Sequence, residues 1–133
     1  MIDPREFVEY LQANSVEFFA GVPDSLLKEL CACLGRVPEA GQHISSANEG
    51  GAVALALGYH LATRKIPLIY LQNSGLGNII NPLLSLADTD VYSVPLLLVI
   101  GWRGEPGVHD DHQHKKQGRV MLSMLEAMEI PYS

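Results

Sequence analysis

Glu49 stands where the segment His43 to Ala47 hands over to an Ala- and Gly-rich stretch, in the order Asn48-Glu49-Gly50-Gly51. The macrodipole favours an ionised carboxylate in the first turn of a helix, and two glycines let another backbone or a flat ring approach closely. Such a group can exchange a proton with a bound ligand, although the position also suits a glutamate that does no more than favour the first turn. The run Gln72-Asn73-Ser74-Gly75-Leu76-Gly77-Asn78 is polar and glycine-rich directly after an apolar segment, so it offers amide side chains and backbone N–H groups. It has neither the lysine of a P-loop nor the spacing of a dinucleotide fingerprint. His109-Asp110-Asp111-His112-Gln113-His114 concentrates imidazole and carboxylate, a chemistry that suits transition metals. No cysteine joins it and no HExxH spacing is present, so the expectation is a solvated or substrate-contacting loop and no metal. Arg103, at the base of that loop, suits either a bidentate grip on an anion or an ion pair with Glu105.

Alternating strands and helices must position these residues. Asp3, Pro4 and Glu6 predict an N-cap, a first-turn proline and a capping-box glutamate for a helix to about Asn14, with Phe7, Tyr10 and Leu11 on its apolar face. Val16 to Ala20 reads as a strand, ended by Gly21-Val22-Pro23; Asp24 and Ser25 then offer caps for a helix carrying Leu26, Leu27, Leu30 and Leu34. Gly35 to Gly41 reads as a loop, His43 to Ala47 as a strand, and the helix that follows as ending near Thr63. Ile66 to Leu71 and Val94 to Ile100 are almost continuously apolar, the pattern of strands covered on both faces in a parallel sheet. Met121, Met124, Leu125 and Met128 recur at helical spacing, as core or interface packing requires. The expected fold is a doubly wound α/β domain, with a mainly parallel sheet and helices on both faces. In such sheets ligands bind beyond the carboxyl ends of the strands, where the polar segments above fall.

Composition narrows the function. The net charge of -6 argues against nonspecific binding to nucleic acid or anionic membranes, and no apolar run approaches the roughly 20 residues that span a bilayer. A single cytoplasmic domain of residues 1–133 is expected. Cys31 and Cys33, two apart in a helical stretch, point to different sides and read as small buried residues with reduced thiols. A mean hydropathy of +0.12 is high for a small isolated domain and predicts that some apolar surface belongs to an interface.

GVPDSLL, NEGGAVALALGYHLA, YLQNSGLGN and WRGEPG with QHKKQGR occur in order along essentially the whole chain. Together they resemble the N-terminal, pyrimidine-binding (PYR) domain of phosphonopyruvate decarboxylases and, more loosely, the alpha subunit of sulfopyruvate decarboxylases, both thiamine-diphosphate-dependent. The resemblance implies that Glu49 activates the cofactor, its carboxyl bonding the N1' nitrogen of the aminopyrimidine and promoting removal of the thiazolium C2 proton. Shielding against that ring should oppose the helix dipole and favour the neutral carboxyl. The resemblance further implies a cofactor-side loop at Gln72, Asn73, Ser74 and Gly75, and a turn near the cofactor at Gly21, Val22 and Pro23. Asp24, Ser25, Arg103, Gln113 and His114 become candidates for the substrate side, with Arg103 and His114 as the suppliers of positive charge or donors for a phosphonate or sulfonate. Nothing is carried over for His109 or His112. In such enzymes a second domain with a GDG…N signature holds the diphosphate through Mg²⁺; that signature does not occur here, and Asp88 and Asp90 do not supply it. The implied picture is half of an active site, inactive without a diphosphate-binding domain or subunit, in a homo- or hetero-oligomer with PYR–PYR contact. The alternatives are a sulfopyruvate decarboxylase alpha subunit and a noncatalytic PYR-like interaction module.

Overall fold

The computed structural model describes residues 2–36 and 42–133. Strands β1 (Phe18–Gly21), β2 (Gln42–Ser45), β3 (Pro67–Gln72) and β4 (Leu97–Gly101) form one sheet in the order β2-β1-β3-β4, and every pairing is parallel. Helices α1 (Pro4–Ala13) and α2 (Lys28–Arg36) cover one face, where Val8, Leu11, Leu30 and Leu34 pack on Phe19, Leu68 and Tyr70. Helices α3 (Glu49–Thr63), α4 (Leu76–Pro82) and α5 (His112–Ala127) cover the other, over Phe18, Ala20, Ile69 and Leu71. The alternation of Phe18 and Ala20 with Phe19 is the period of two that sends successive side chains to opposite layers. This is the doubly wound α/β architecture that the apolar runs predicted.

Short side-chain caps set the helix starts. Asp3 accepts the Arg5 N–H at 2.8 Å, with Pro4 opening α1. Asn48 accepts the Gly51 N–H at 2.8 Å, and this fixes Glu49 as the first residue of α3. Asp24 accepts the Leu26 N–H at 3.1 Å, but the turn it opens, Ser25–Leu27, is 3₁₀, and α2 proper begins only at Lys28. Leu26 is consequently exposed rather than on the buried face.

Several boundaries and faces differ from expectation. The buried stripe of α1 is Val8 and Leu11, and Tyr10 turns outward at 67 % exposure, because α2 meets the helix one residue around from the expected face. Each of the first three strands starts one to two residues from the expected position, and α2 extends through Gly35 and Arg36; the remainder of that expected loop, 37–41, lies outside the described residues. Cys31 and Cys33 are half-buried free thiols rather than core residues, and burial pushes the Cys31 thiol up. The run Val94 to Ile100 is covered only in part: Leu98 and Ile100 pack in one layer and Val99 in the other, each half-buried. Only Leu97–Gly101 is strand, it pairs with β3 alone among the described residues, and Leu97 is 42 % exposed. Beside it lies an apolar groove of about 800 Å³, lined by Leu96, Leu98, Ile100, Met121, Leu125 and Met128 among others. Part of the exposed apolar surface therefore lies at this edge, and the rest is spread over Tyr10, Leu26, Leu55, Leu61 and other positions. Helix α4 was not expected at all: Leu76, Ile79 and Leu83 carry its buried side at helical spacing, and a π-helical turn, Leu83–Ala87, continues it past Pro82.

Candidate functional site

The parallel register brings the carboxyl ends of the strands together, with Gly21 opposite both Ser45 and Tyr70, and Gln72 opposite Gly101. The four polar segments singled out in the sequence all leave the sheet from this edge.

Glu49 is half-buried, and its Oε2 accepts a hydrogen bond from Asn78 Nδ2 on α4 at 2.7 Å. Oε1 accepts no bond among the described residues. The rest of the side chain lies against Gly75, where a Cβ would fall 2.6 Å from Glu49 Cγ. The carboxylate is thus held from one side by an amide and shaped from the other by a missing side chain.

The loop after β3 divides its labour. Gln72 Nε2 donates to Ser74 Oγ at 2.5 Å in an exposed pair. Asn73 is only 1 % exposed; its Nδ2 donates to the Arg103 carbonyl at 2.7 Å and its Oδ1 accepts the Arg103 N–H at 3.3 Å. Both ends of that amide are committed to the backbone beyond β4, so Asn73 joins two strand ends and has no free edge for a ligand. Gly21 and Val22 are likewise tied by backbone: Gly21 O accepts the Ser46 N–H at 2.8 Å, and Val22 N–H donates to Tyr70 O at 3.1 Å.

Among the substrate-side candidates, Asp24 is 8 % exposed and occupied by its cap bond. Gln113 is exposed at the start of α5. Arg103, Ser25 and His114 meet, through a residue the sequence did not single out. Asp110 Oδ2 accepts from Arg103 Nε at 2.8 Å, and its Oδ1 accepts from Arg103 Nη2 at 2.6 Å and from His114 Nδ1 at 3.1 Å. The Gly104 and Asp111 N–H groups add two bonds of 2.7 Å. The Arg103 guanidinium, with these N–H donors and His114, holds the Asp110 carboxyl well below the usual carboxylate range, and Asp110 in turn raises Arg103. Arg103 Nη1 reaches Ser25 Oγ at 2.8 Å. The ion pair left open between Glu105 and a ligand therefore goes to Asp110. A spacing of four residues between Asp110 and His114 was the available signal.

Asp110, Asp111 and His114 bring ligand atoms within 4.8 Å of one another. Both Asp110 oxygens already face the guanidinium, so a cation would have to compete with Arg103. His109 and His112 are exposed and outside this cluster. Gly104, at φ 68, allows the loop to press on the first turns of α5, where Trp102 Nε1 also donates to the Gly118 carbonyl at 3.0 Å.

Residues 5–127 match the family described as thiamine pyrophosphate enzyme, N-terminal TPP binding domain. The chain belongs to this family. It is 35 % identical over 133 residues to a phosphonopyruvate decarboxylase of Streptomyces viridochromogenes, covering 100 % of this chain and 32 % of that protein. It is 35 % identical over 119 residues to the sulfopyruvate decarboxylase subunit alpha of Methanococcus maripaludis, covering 90 % of this chain and 68 % of that subunit. Among solved structures, benzoylformate decarboxylase from Polynucleobacter necessarius superposes with a TM-score of 0.63 at 25 % identity, over 77 % of this chain and 19 % of that one. The chain thus spans about a third of the length of the phosphonopyruvate decarboxylases it matches. For a TPP-binding N-terminal domain, the chemistry at the strand ends fits the cofactor: a carboxylate fixed by Asn78 through one oxygen, its other oxygen without a hydrogen-bond partner among the described residues and seated where a Cβ at position 75 would otherwise fall. No helix among the described residues is long and apolar enough to cross a membrane.

Proposed function

We propose that this chain is the pyrimidine-binding half of a thiamine-diphosphate-dependent 2-keto acid decarboxylase, with phosphonopyruvate as substrate and phosphonoacetaldehyde and CO₂ as products. The observation that carries the reading is the setting of Glu49: first residue of α3, Oε2 on Asn78, Oε1 without a hydrogen-bond partner among the described residues, side chain against Gly75. Similarity along all of this chain to about a third of a phosphonopyruvate decarboxylase supports the substrate. Thiamine diphosphate, when bound, supplies the sink for the electrons left behind as the carboxylate departs. Glu49 would hold and return a proton at Oε1 toward the aminopyrimidine. Gly75, with Gln72 and Ser74, would line the cofactor side, and Gly21, Val22 and Pro23 the turn beside it. Asn73 acts by holding the Arg103 backbone. Arg103, Ser25 and His114 would meet the substrate's second anionic group. A diphosphate-binding domain or subunit would hold Mg²⁺; Asp88 does not serve, its Oδ1 instead accepting the Asp90 N–H at 2.9 Å within a turn.

A sulfopyruvate decarboxylase alpha subunit is the second reading, favoured by coverage of 68 % of such a subunit. It implies assembly with a separate partner subunit, and the apolar groove beside β4 is in keeping with burial in an assembly. The test is to combine this chain with a diphosphate-binding half and follow CO₂ release from both keto acids. Thiamine-dependent release that prefers phosphonopyruvate is expected, with none from this chain alone; turnover by the chain alone would overturn the half-site reading, and preference for sulfopyruvate would install the second.

A further inference from the structure

Beyond β4 three separate segments converge on one carboxylate. Arg103 follows the strand, Ser25 follows the Asp24 cap on the far side of β1, and His114 sits in the first turn of α5; Asp110 touches the first and last of these directly. Asp110 and His114 side chains are 13 % and 12 % exposed, and the Arg103 side chain 18 %, so little water competes for these bonds. An ionised carboxylate only accepts, so the His114 nitrogen facing it must carry a proton. The remaining ring nitrogen, Nε2, is then the one through which His114 meets anything else. The planar guanidinium is divided in the same way. Nε and one Nη2 hydrogen form the edge turned to Asp110, while Nη1 is turned to Ser25.

We propose that Asp110 is a positioning residue for the substrate side of the site: by taking one edge of Arg103 and Nδ1 of His114, it leaves Arg103 Nη1 beside Ser25 Oγ as the donor that receives the substrate's phosphonate or sulfonate, with His114 Nε2 joining it as an N–H only when the ring is protonated on both nitrogens. The inference rests on the decarboxylase reading and adds to it a residue that touches no substrate. Its chemistry is orientation. Without the carboxylate, the arginine edge and the imidazole tautomer are both free to change, and Arg103 Nη1 no longer points from a fixed frame.

The test uses the assembled enzyme with Asp110→Asn and Asp110→Glu. The asparagine keeps the shape but turns an N–H toward groups that are all donors. It is expected to raise KM for phosphonopyruvate about 10- to 100-fold, the size of effect seen when a partner orienting a ligating side chain is lost, with a smaller change in kcat. KM for pyruvate, which lacks the second anion, should move far less, and Asp110→Glu should recover most of the loss. An unchanged KM for phosphonopyruvate, or equal changes for both keto acids, would overturn the proposal. A variant that fails to fold leaves a measurement on the unmutated chain: ¹⁵N spectra of the neutral His114 ring should show the proton on Nδ1, and a proton on Nε2 would refute the arrangement. Failure of the decarboxylase reading is visible separately, as wild-type assembly that releases no CO₂ from any of these keto acids.

Discussion

The side chain of Glu49 lies against Gly75 so closely that no larger residue at position 75 leaves it in place. Gly75 itself has ordinary right-handed backbone angles, φ -81 and ψ -6, so its lack of a Cβ serves the neighbour rather than the turn. Gly75→Ala is therefore expected to move Glu49 and leave the fold standing. In the assembled enzyme, deuterium exchange at thiamine C2 should fall by as much as about 10²-fold, the scale of a misplaced reacting group, with the melting temperature little changed. Unaltered exchange would separate the two residues functionally.

Glu49→Gln keeps an oxygen for Asn78 Nδ2 and replaces the other, proton-carrying oxygen by an amide NH₂ that cannot act as acid or base. C2 exchange should be abolished while circular dichroism and melting temperature match the wild type. Near-normal exchange in the assembled variant would remove Glu49 from the proton relay.

Asn73→Ala should cost stability and act on the site only indirectly. It removes a side chain that is 1 % exposed, takes the partner from the Arg103 carbonyl and leaves the Arg103 N–H only Gly101 O at 3.1 Å, and a loss of about 1–3 kcal/mol is expected from urea unfolding. A variant as stable as the wild type would mean that water replaces both bonds.

Arg103→Ala should raise KM for phosphonopyruvate much more than for pyruvate. The same change strips Asp110 of its guanidinium, so part of the effect should persist when guanidinium ion is added, whereas the loss of charge itself should be partly rescued. Equal effects on the two keto acids would argue against contact between Arg103 and the second anion.

His43 offers a pH test remote from these residues. Its Nε2 lies 2.8 Å from the Tyr70 hydroxyl, and burial lowers its basicity. In the unfolded chain it takes up a proton near pH 6.5, above its value in the fold, so stability is complete above that pH and is lost as pH falls through it. The wild-type melting temperature should drop between about pH 7.5 and 5.5 by more than that of His43→Gln. Parallel curves would assign the acid sensitivity elsewhere.

Much of this architecture is legible in the residues because the physics that sets it is local. Continuous apolar runs identified β3, and cap residues located the starts of α1 and α3. The strand-to-helix position of Glu49 needed only the change from His43–Ala47 to Asn48-Glu49-Gly50-Gly51. What was not legible depends on contacts between distant segments. Apolar composition cannot tell that β4 lies at the sheet edge, since a strand covered on both faces and an edge strand awaiting cover have the same side chains. The choice of Arg103 between Glu105 and Asp110 is made by the left-handed turn at Gly104, which folds the loop back on α5. Asn73 reads as a ligand-facing amide until its partner, 30 residues away, is known.

The sheet order also distributes local unfolding unevenly across the site. Among the described residues β1 and β3 each have a hydrogen-bonded strand on both sides, whereas β4 has one, so amides of the inner pair should open only with the whole domain and those on the outer rim of β4 should exchange early. Gly21 and the Gln72–Gly75 loop therefore hang from the slowest-opening part of the molecule, and the Arg103 segment from a faster one. The proposed substrate side is thus strung between both regimes, Ser25 beyond inner β1 and Arg103 beyond outer β4 with Asn73 pinning it, so hydrogen exchange there should be less uniform than on the cofactor side.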